Sequence, residues 1–140
     1  MNKKFNLQAF TLMELIAVVI IVAVVAAFAV PNYTKTVERA HLKDALVLLT
    51  AIHSAQQIRF SEQAKYWPDT ATTVDLTSIN TNLKLNIIAQ GMTYTCTGNA
   101  LGTTFTCDAV RSSTSPYTVR ATQAVLSATN PQCISGASCP

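Results

Sequence analysis

An uninterrupted apolar run near the start of the chain limits what this sequence can fold into more than any other feature. Residues 15–30 are 16 positions without a polar side chain. With Phe10, Leu12 and Met13 they approach the roughly 20 residues that a helix needs to cross a ~30 Å hydrocarbon layer. A small domain cannot bury such a helix, so lipid or other protein must cover it. We therefore expect residues 10–31 to form a membrane anchor.

One carboxylate, Glu14, interrupts this segment. A charge at the centre of a bilayer costs about 2.5–3.5 kcal/mol on insertion scales, so an isolated acid in a membrane segment indicates a function. Glu14 is therefore a candidate functional residue, and it needs a cationic partner.

The residues that precede the run are short and basic. Residues 1–9 contain Lys3 and Lys4 and no acid, which is typical of a segment that stays in the cytoplasm. The last of these residues is the small Ala9, and Phe-Thr-Leu-Met-Glu-Leu begins at Phe10. This arrangement resembles the prepilin signal of the type IV pilin family, whose usual residue before the cut is Gly rather than Ala. The resemblance implies that prepilin peptidase removes residues 1–9, cuts between Ala9 and Phe10, and methylates the new amino terminus of Phe10.

The same resemblance implies a function. Type IV pilins are held in the inner membrane and then polymerised by the pilus assembly machinery into an extracellular filament that serves adhesion and twitching motility. Residues 10–31 would then pass from membrane anchor to filament core, packed against other pilin subunits. Glu14 would pair with the positive amino terminus of Phe10 on a neighbouring subunit, and a pair within one chain is geometrically possible too.

Two other interpretations of the run remain. One is a secretory signal peptide with Ala27-Phe28-Ala29 as its A-x-A cleavage site. The position of Glu14 inside the apolar region, and the excess length of that region, disfavour it. The other is a plain single-span anchor that tolerates Glu14 near one interface.

The apolar pattern of a helix resumes after the membrane segment. Apolar residues recur every three or four positions over residues 37–55, which predicts one buried face. Neither Gly nor Pro occurs between residues 32 and 66, so we expect the helix to end near Lys65, ahead of Pro68. From residue 10 to 64 it would be a rod of about 80 Å.

The clearest strand signal lies in a predicted hairpin of residues 92–97 and 103–110. Polar and apolar side chains alternate in both segments, as the two-residue period of a strand requires. Residues 98–102 supply turn formers between them. Placing Cys96 opposite Cys107 puts the apolar side chains of both strands on one face.

The remaining segments complete the predicted fold. Residues 117–122 alternate as a third strand and residues 124–126 are the candidate for a fourth, while residues 70–90 read as a packed loop with at most a short strand or turn of helix. The fold class is therefore α+β, and by the resemblance it is the pilin fold. A long N-terminal helix packs against an antiparallel sheet of three to four strands. Residues 32–140 form the globular head, including the second half of the helix.

Four cysteines all lie on the side of the anchor opposite the Lys pair, in an oxidising compartment where disulfides persist. Four cysteines allow three connectivities. The hairpin favours Cys96–Cys107 and leaves Cys133–Cys139 as a small C-terminal loop.

Residue patterns for catalysis, cofactors or metals are lacking, and we expect no enzyme. His41 and His53 fall about 120° apart around a helix, so they cannot share a metal. The cysteine spacings match no zinc or redox pattern. A formal net charge of +3, or +1 without the leader, attracts nucleic acid only weakly.

Three alternative functions are compatible with the sequence. A type II secretion pseudopilin usually has a C-terminal calcium site, but beyond Asp75 the only acid is Asp108. A minor or competence pilin that binds extracellular DNA would use Arg111, Arg120 and Tyr117. An electron-conducting filament would need its aromatic residues, which at 7% are unexceptional and are accounted for by core packing.

Overall fold

A computed structural model of the chain describes residues 11–113, 116–136 and 139, without the side chain of Pro31. The chain divides into two compact units, residues 1–37 and 38–140. The expected processing residues Ala9 and Phe10 lie outside the described part of the chain.

Helix α1 spans Leu12–Gln63, 52 residues, and belongs to the first unit up to Val37 and to the second from Glu38. Its end lies two positions before the expected one, within the usual uncertainty of helix boundaries. Ala64 takes a left-handed conformation (φ 54°) and its N–H donates to the carbonyl of Phe60 at 2.8 Å, which closes the last turn.

The second unit holds a five-stranded antiparallel sheet in the order β1-β2-β3-β4-β5. A short helix, α2, follows β1. The elements are β1 Thr73–Asp75, α2 Leu76–Leu83, β2 Thr93–Gly98, β3 Phe105–Arg111, β4 Tyr117–Thr122 and β5 Gln132–Ser135. The long helix and the antiparallel sheet confirm the α+β class.

The sheet has five strands where three to four were expected, and two segments differ from the prediction. Residues 70–90 contain β1 and the eight-residue α2 rather than mostly loop. Helix α2 begins there because the Asp75 carboxylate accepts a hydrogen bond from the backbone N–H of Ser78 at 3.0 Å, a regular N-cap.

The fourth strand expected at residues 124–126 is wrong. The Ala124 carbonyl accepts side-chain hydrogen bonds from His53 (2.8 Å) and Asn130 (2.6 Å), so it is not available to a strand ladder. Asn130 also bonds both backbone groups of Thr122, at 3.0 and 3.2 Å. This segment is a loop that side chains hold in place, and the edge strand forms later, at β5.

The core of the second unit lies between the sheet and two helices. Alternate residues of β2, β3 and β4 point inward, as the strand period demands, and they meet one face of α1 and of α2. The largest buried side chains include Leu49, Ile52, Ile79, Phe105 and Val119.

Both disulfides are formed in the structure. Cys96 lies directly opposite Cys107 in the ladder of β2 and β3 and is bonded to it, the pairing that the hairpin alternation favoured. Cys133 is bonded to Cys139 near the C-terminus. The first disulfide is fully buried in the core, whereas the second lies in a partly exposed segment.

Replacing Cys96 and Cys107 together by Ala should lower the free energy of unfolding by about 2–3 kcal/mol, since it frees a closed loop of the unfolded chain. The matched change at Cys133 and Cys139 should cost less, because the two cysteines are 6 rather than 11 positions apart. Urea unfolding of the detergent-solubilised chain measures both. A larger loss from the C-terminal pair would contradict this ranking.

Candidate assembly site

The surface of α1 over residues 15–30 is apolar and exposed. Every side chain described between residues 11 and 36 is exposed. Within the described residues, one helix is long and apolar enough to cross a membrane, with a mean hydropathy of 2.9 over an 18-residue window and none of that window buried. This surface needs lipid or other helices around it, because water solvates it poorly.

Glu14 forms a capping box with Thr11 at the start of α1. The Thr11 hydroxyl accepts from the Glu14 backbone N–H at 3.2 Å, and the Glu14 carboxylate accepts from the Thr11 backbone N–H at 3.1 Å. The Thr11 hydroxyl also donates to the same carboxylate at 2.9 Å. Reciprocal bonds between the N-cap and the third helical residue satisfy two donors that the helix start otherwise leaves free.

The capping box fixes where the carboxylate of Glu14 points. Both bonds that it accepts from Thr11 end on Oε2, and neither uses Oε1. The side chain remains exposed. The predicted partner, the amino terminus of Phe10, lies outside the described residues, so the structure brings Glu14 together with Thr11 alone. Thr11 was not among the predicted functional residues, although the Thr-x-x-Glu spacing is itself the capping signature.

Glu38 and Arg111 join α1 to β3 inside the second unit. The guanidinium donates to both carboxylate oxygens, at 3.0 and 3.2 Å, and to the carbonyl of Gly91 at 2.6 Å. The Tyr117 hydroxyl donates to the Glu38 carbonyl at 3.3 Å. The hydrogen bonds from Arg111 hold the pKa of the Glu38 carboxyl below its ordinary value.

Asp108 and Arg120 form a second ion pair, across β3 and β4. They lie opposite each other in the ladder and make two bonds of 2.7 Å. Both arginines proposed for DNA binding therefore already have carboxylate partners, and Tyr117, the third such residue, is buried. The alternative of a DNA receptor therefore has no arginine without a carboxylate partner among the residues that the sequence suggested for it.

A buried amide connects α1 to the segment that follows it. Gln56 is fully buried, and its side chain bonds both backbone groups of Trp67: Oε1 accepts from the N–H at 2.9 Å, and Nε2 donates to the carbonyl. This contact was not predicted from the sequence. The signal was a polar residue one turn beyond Ile52, on the apolar face of the helix.

The two histidines have no shared role. His53 is buried, and its Nε2 lies 2.8 Å from the Ala124 carbonyl, to which it must donate because a carbonyl only accepts. His41 is half-buried, three turns earlier on α1. Among the described residues, no group of three His, Cys, Asp or Glu could hold a metal ion.

Glu38→Gln should lower the free energy of unfolding by about 1–2 kcal/mol near pH 7, because it removes a half-buried charged partner of Arg111. The folded pKa of Glu38 lies below its ordinary value of 4.5. Its contribution is therefore present above that value and is lost as the pH falls through the folded pKa.

Urea unfolding at pH 7 and at decreasing pH measures this effect. Glu62→Gln, at an exposed acid of the same helix, is the control and should change the stability by less than about 0.5 kcal/mol. Equal losses from both variants, or a Glu38→Gln loss that is unchanged at low pH, would contradict the prediction.

Comparison with known proteins identifies a related sequence. No protein-family model matches the chain, and no solved structure matches it. Over 59 residues the chain is 41% identical to the type IV major pilin protein PilA of Myxococcus xanthus (strain DK1622); the match covers 42% of this chain and 27% of that protein. The chain thus matches about a quarter of the length of this relative. The match confirms that the chain resembles the type IV pilins.

Proposed function

We propose that the chain is a structural subunit of a type IV pilus. The observation that carries the proposal is the uncovered apolar part of α1, interrupted by the single acid Glu14, in a chain similar to a major pilin. The subunit is first held in the inner membrane by residues 10–31. Prepilin peptidase then removes residues 1–9, and the mature chain, which begins at Phe10, stays anchored in the membrane. The pilus assembly machinery adds it from there to a filament of identical subunits outside the cell.

The apolar surface of α1 explains why the subunit is stable in two places. In the membrane, lipid covers the helix. Outside the cell, each exposed apolar side chain would cost about 25 cal/mol per Å² of surface in contact with water. Packing these helices side by side in a filament core removes that contact. Once a subunit has left the membrane, its apolar helix is therefore shielded from water only by neighbouring subunits.

Glu14 supplies the axial register of the filament. Its charge is not neutralised by Thr11, which offers only neutral donors. A buried charge without a partner costs several kcal/mol. An incoming subunit is therefore favoured where its positive amino terminus, at Phe10, meets the carboxylate of a neighbour. Methylation of that amine leaves its charge in place.

The mature chain should begin at Phe10 with a methylated amino terminus. Mass spectrometry of the amino-terminal peptide from filaments sheared off intact cells measures the cleavage position and the modification together. A peptide that begins at Val30 would mean that an ordinary signal peptidase removes the anchor, and the proposed function would then be wrong.

Glu14→Gln should leave membrane insertion intact or improved and cleavage largely normal, but it should sharply reduce or abolish filaments. Gln serves in a capping box as well as Glu does, so this variant removes the charge and keeps the cap. Thr11→Ala is the matched variant, since it removes the cap, worth about 1 kcal/mol, and keeps the charge. It should still build filaments.

Filament yield is measured as sheared protein relative to protein in the cell. Wild-type filament numbers from Glu14→Gln, with a loss from Thr11→Ala, would mean that Glu14 acts only as part of the helix cap. The proposed register mechanism would then fail, while the pilin function would stand.

A further inference from the structure

A cleft opens on the second unit between α1 and the segment that leads into β2. Its volume is about 290 Å³, and most of its lining is apolar, from Val47, Leu48, Ile88, Met92 and Tyr94. Val47 is 67% exposed and Ile88 is 68% exposed, although both are large apolar side chains. An exposed apolar concavity of this kind is suited to a protruding apolar side chain.

The cleft carries an acid without a basic partner. Asp44 lines it, together with His41. Among the described residues, the ion pairs are Glu38–Arg111 and Asp108–Arg120, so Asp44 belongs to neither. Burial raises the pKa of Tyr94 to about 12, and the negative charge of Asp44 adds to that effect. The occupant that complements this cleft is therefore apolar with a cation beside it.

The turn between β2 and β3 presents such an apolar side chain on a rigid support. Leu101 is 72% exposed in this turn. The Asn99 side-chain oxygen accepts from the backbone N–H of Thr103 at 2.8 Å and of Thr104 at 3.3 Å. The Gly102 N–H donates to the Asn99 carbonyl at 3.0 Å. A turn that is ordered beforehand loses little entropy when it docks.

A lysine lies against this turn. The Tyr66 N–H donates to the Gly102 carbonyl at 2.8 Å, and a Cβ added at Gly102 would lie 2.9 Å from Cβ of Lys65. In the part of the chain that the structure describes, Lys65 makes no ion pair. Val125 is more exposed, at 84%, but no charged residue occurs between positions 121 and 140. Of these two apolar protrusions, the one at Leu101 brings a cation.

The turn and the cleft lie far apart along one copy. Asp44 of the cleft lies on α1, and Lys65 beside the turn lies just beyond the end of α1. The two residues are 21 positions apart, which at 1.5 Å per helical residue is about 30 Å. The turn of one copy therefore cannot fill its own cleft. A contact between different surfaces of two identical copies is heterologous, and when its rotation does not close a ring it repeats into an open filament.

We propose that Leu101 of one copy inserts into this cleft on a second copy, with Lys65 of the first facing Asp44 of the second. The proposal rests on the pilus function above and adds a contact between heads. Successive copies related by one and the same operation would all make it in the same way.

Charge reversal tests the polar half of the contact in an assembly-competent bacterium that expresses this chain as its only pilin. Lys65→Glu and Asp44→Lys should each lower the ratio of sheared to cell-bound protein about fivefold, because each places like charges together. The double variant Lys65→Glu with Asp44→Lys should restore the yield. Failure of the double variant to exceed either single variant would overturn the proposal.

Leu101→Asp tests the apolar half and should lower the yield at least about tenfold, whereas Val125→Asp, at a more exposed apolar residue, should not. The amount of each subunit in the membrane shows whether the variant is folded and stable. Equal losses from the two Asp variants, at equal membrane levels, would overturn the assignment to Leu101.

Cross-linking locates the contact directly. All four native cysteines are disulfide-bonded, so a short bis-maleimide reacts only with introduced thiols. Filaments of the Val47→Cys, Leu101→Cys double variant should give a ladder of linked subunits, and either single variant should not. Filaments without a ladder would overturn this contact and leave the pilus function standing. A wild-type chain that builds no filaments would overturn both.

Discussion

The rest of the structure depends on one constraint: the apolar first part of α1 must not meet water. Residues 15–30 carry no polar side chain, so this part of the helix is apolar on all sides and lacks the polar face of a helix at a domain surface. From Glu38 onward the same helix is amphipathic and buries one face against the sheet. A single helix thus carries two kinds of surface, and the change between them follows directly from the residue pattern.

The second unit is small and is held together by more than its apolar core. Three polar side chains of α1 each bind a distant segment: Glu38 binds Arg111 of β3, His53 binds the loop after β4, and Gln56 binds the backbone of the segment after α1. Two disulfides add constraints on the unfolded chain. Small domains commonly need such additions, because the free energy gained by burying their apolar surface exceeds the conformational-entropy cost of folding by only a little.

The sequence predicted the features that depend on local periodicity and missed those that depend on distant partners. The long helix and the hairpin follow from periods of 3.6 and two residues, and the opposed cysteines fix the hairpin register. Arg111 could not be assigned, because its partner Glu38 is 73 positions away and nothing local marks the pair. The strand expected at residues 124–126 failed for the same reason, since His53 of a different element occupies the Ala124 carbonyl. The N-cap of α2 at Asp75 is a local signal. It was not predicted, because it lies in a segment rich in Thr and Asn that was interpreted as a loop.

Glu14 is both polar and charged, and these two properties have different physical consequences. The hydrogen bonds with Thr11 explain why this position is polar at the start of an apolar helix. They do not explain why it is charged, because Gln would close the same capping box. In a membrane the uncharged amide would also be easier to insert than a carboxylate, whose burial costs about 2.5–3.5 kcal/mol at the centre of a bilayer and less toward the interface. A cap alone therefore favours Gln. The presence of Glu14 is accounted for when its charge has a cationic partner, which is what the proposed assembly would supply.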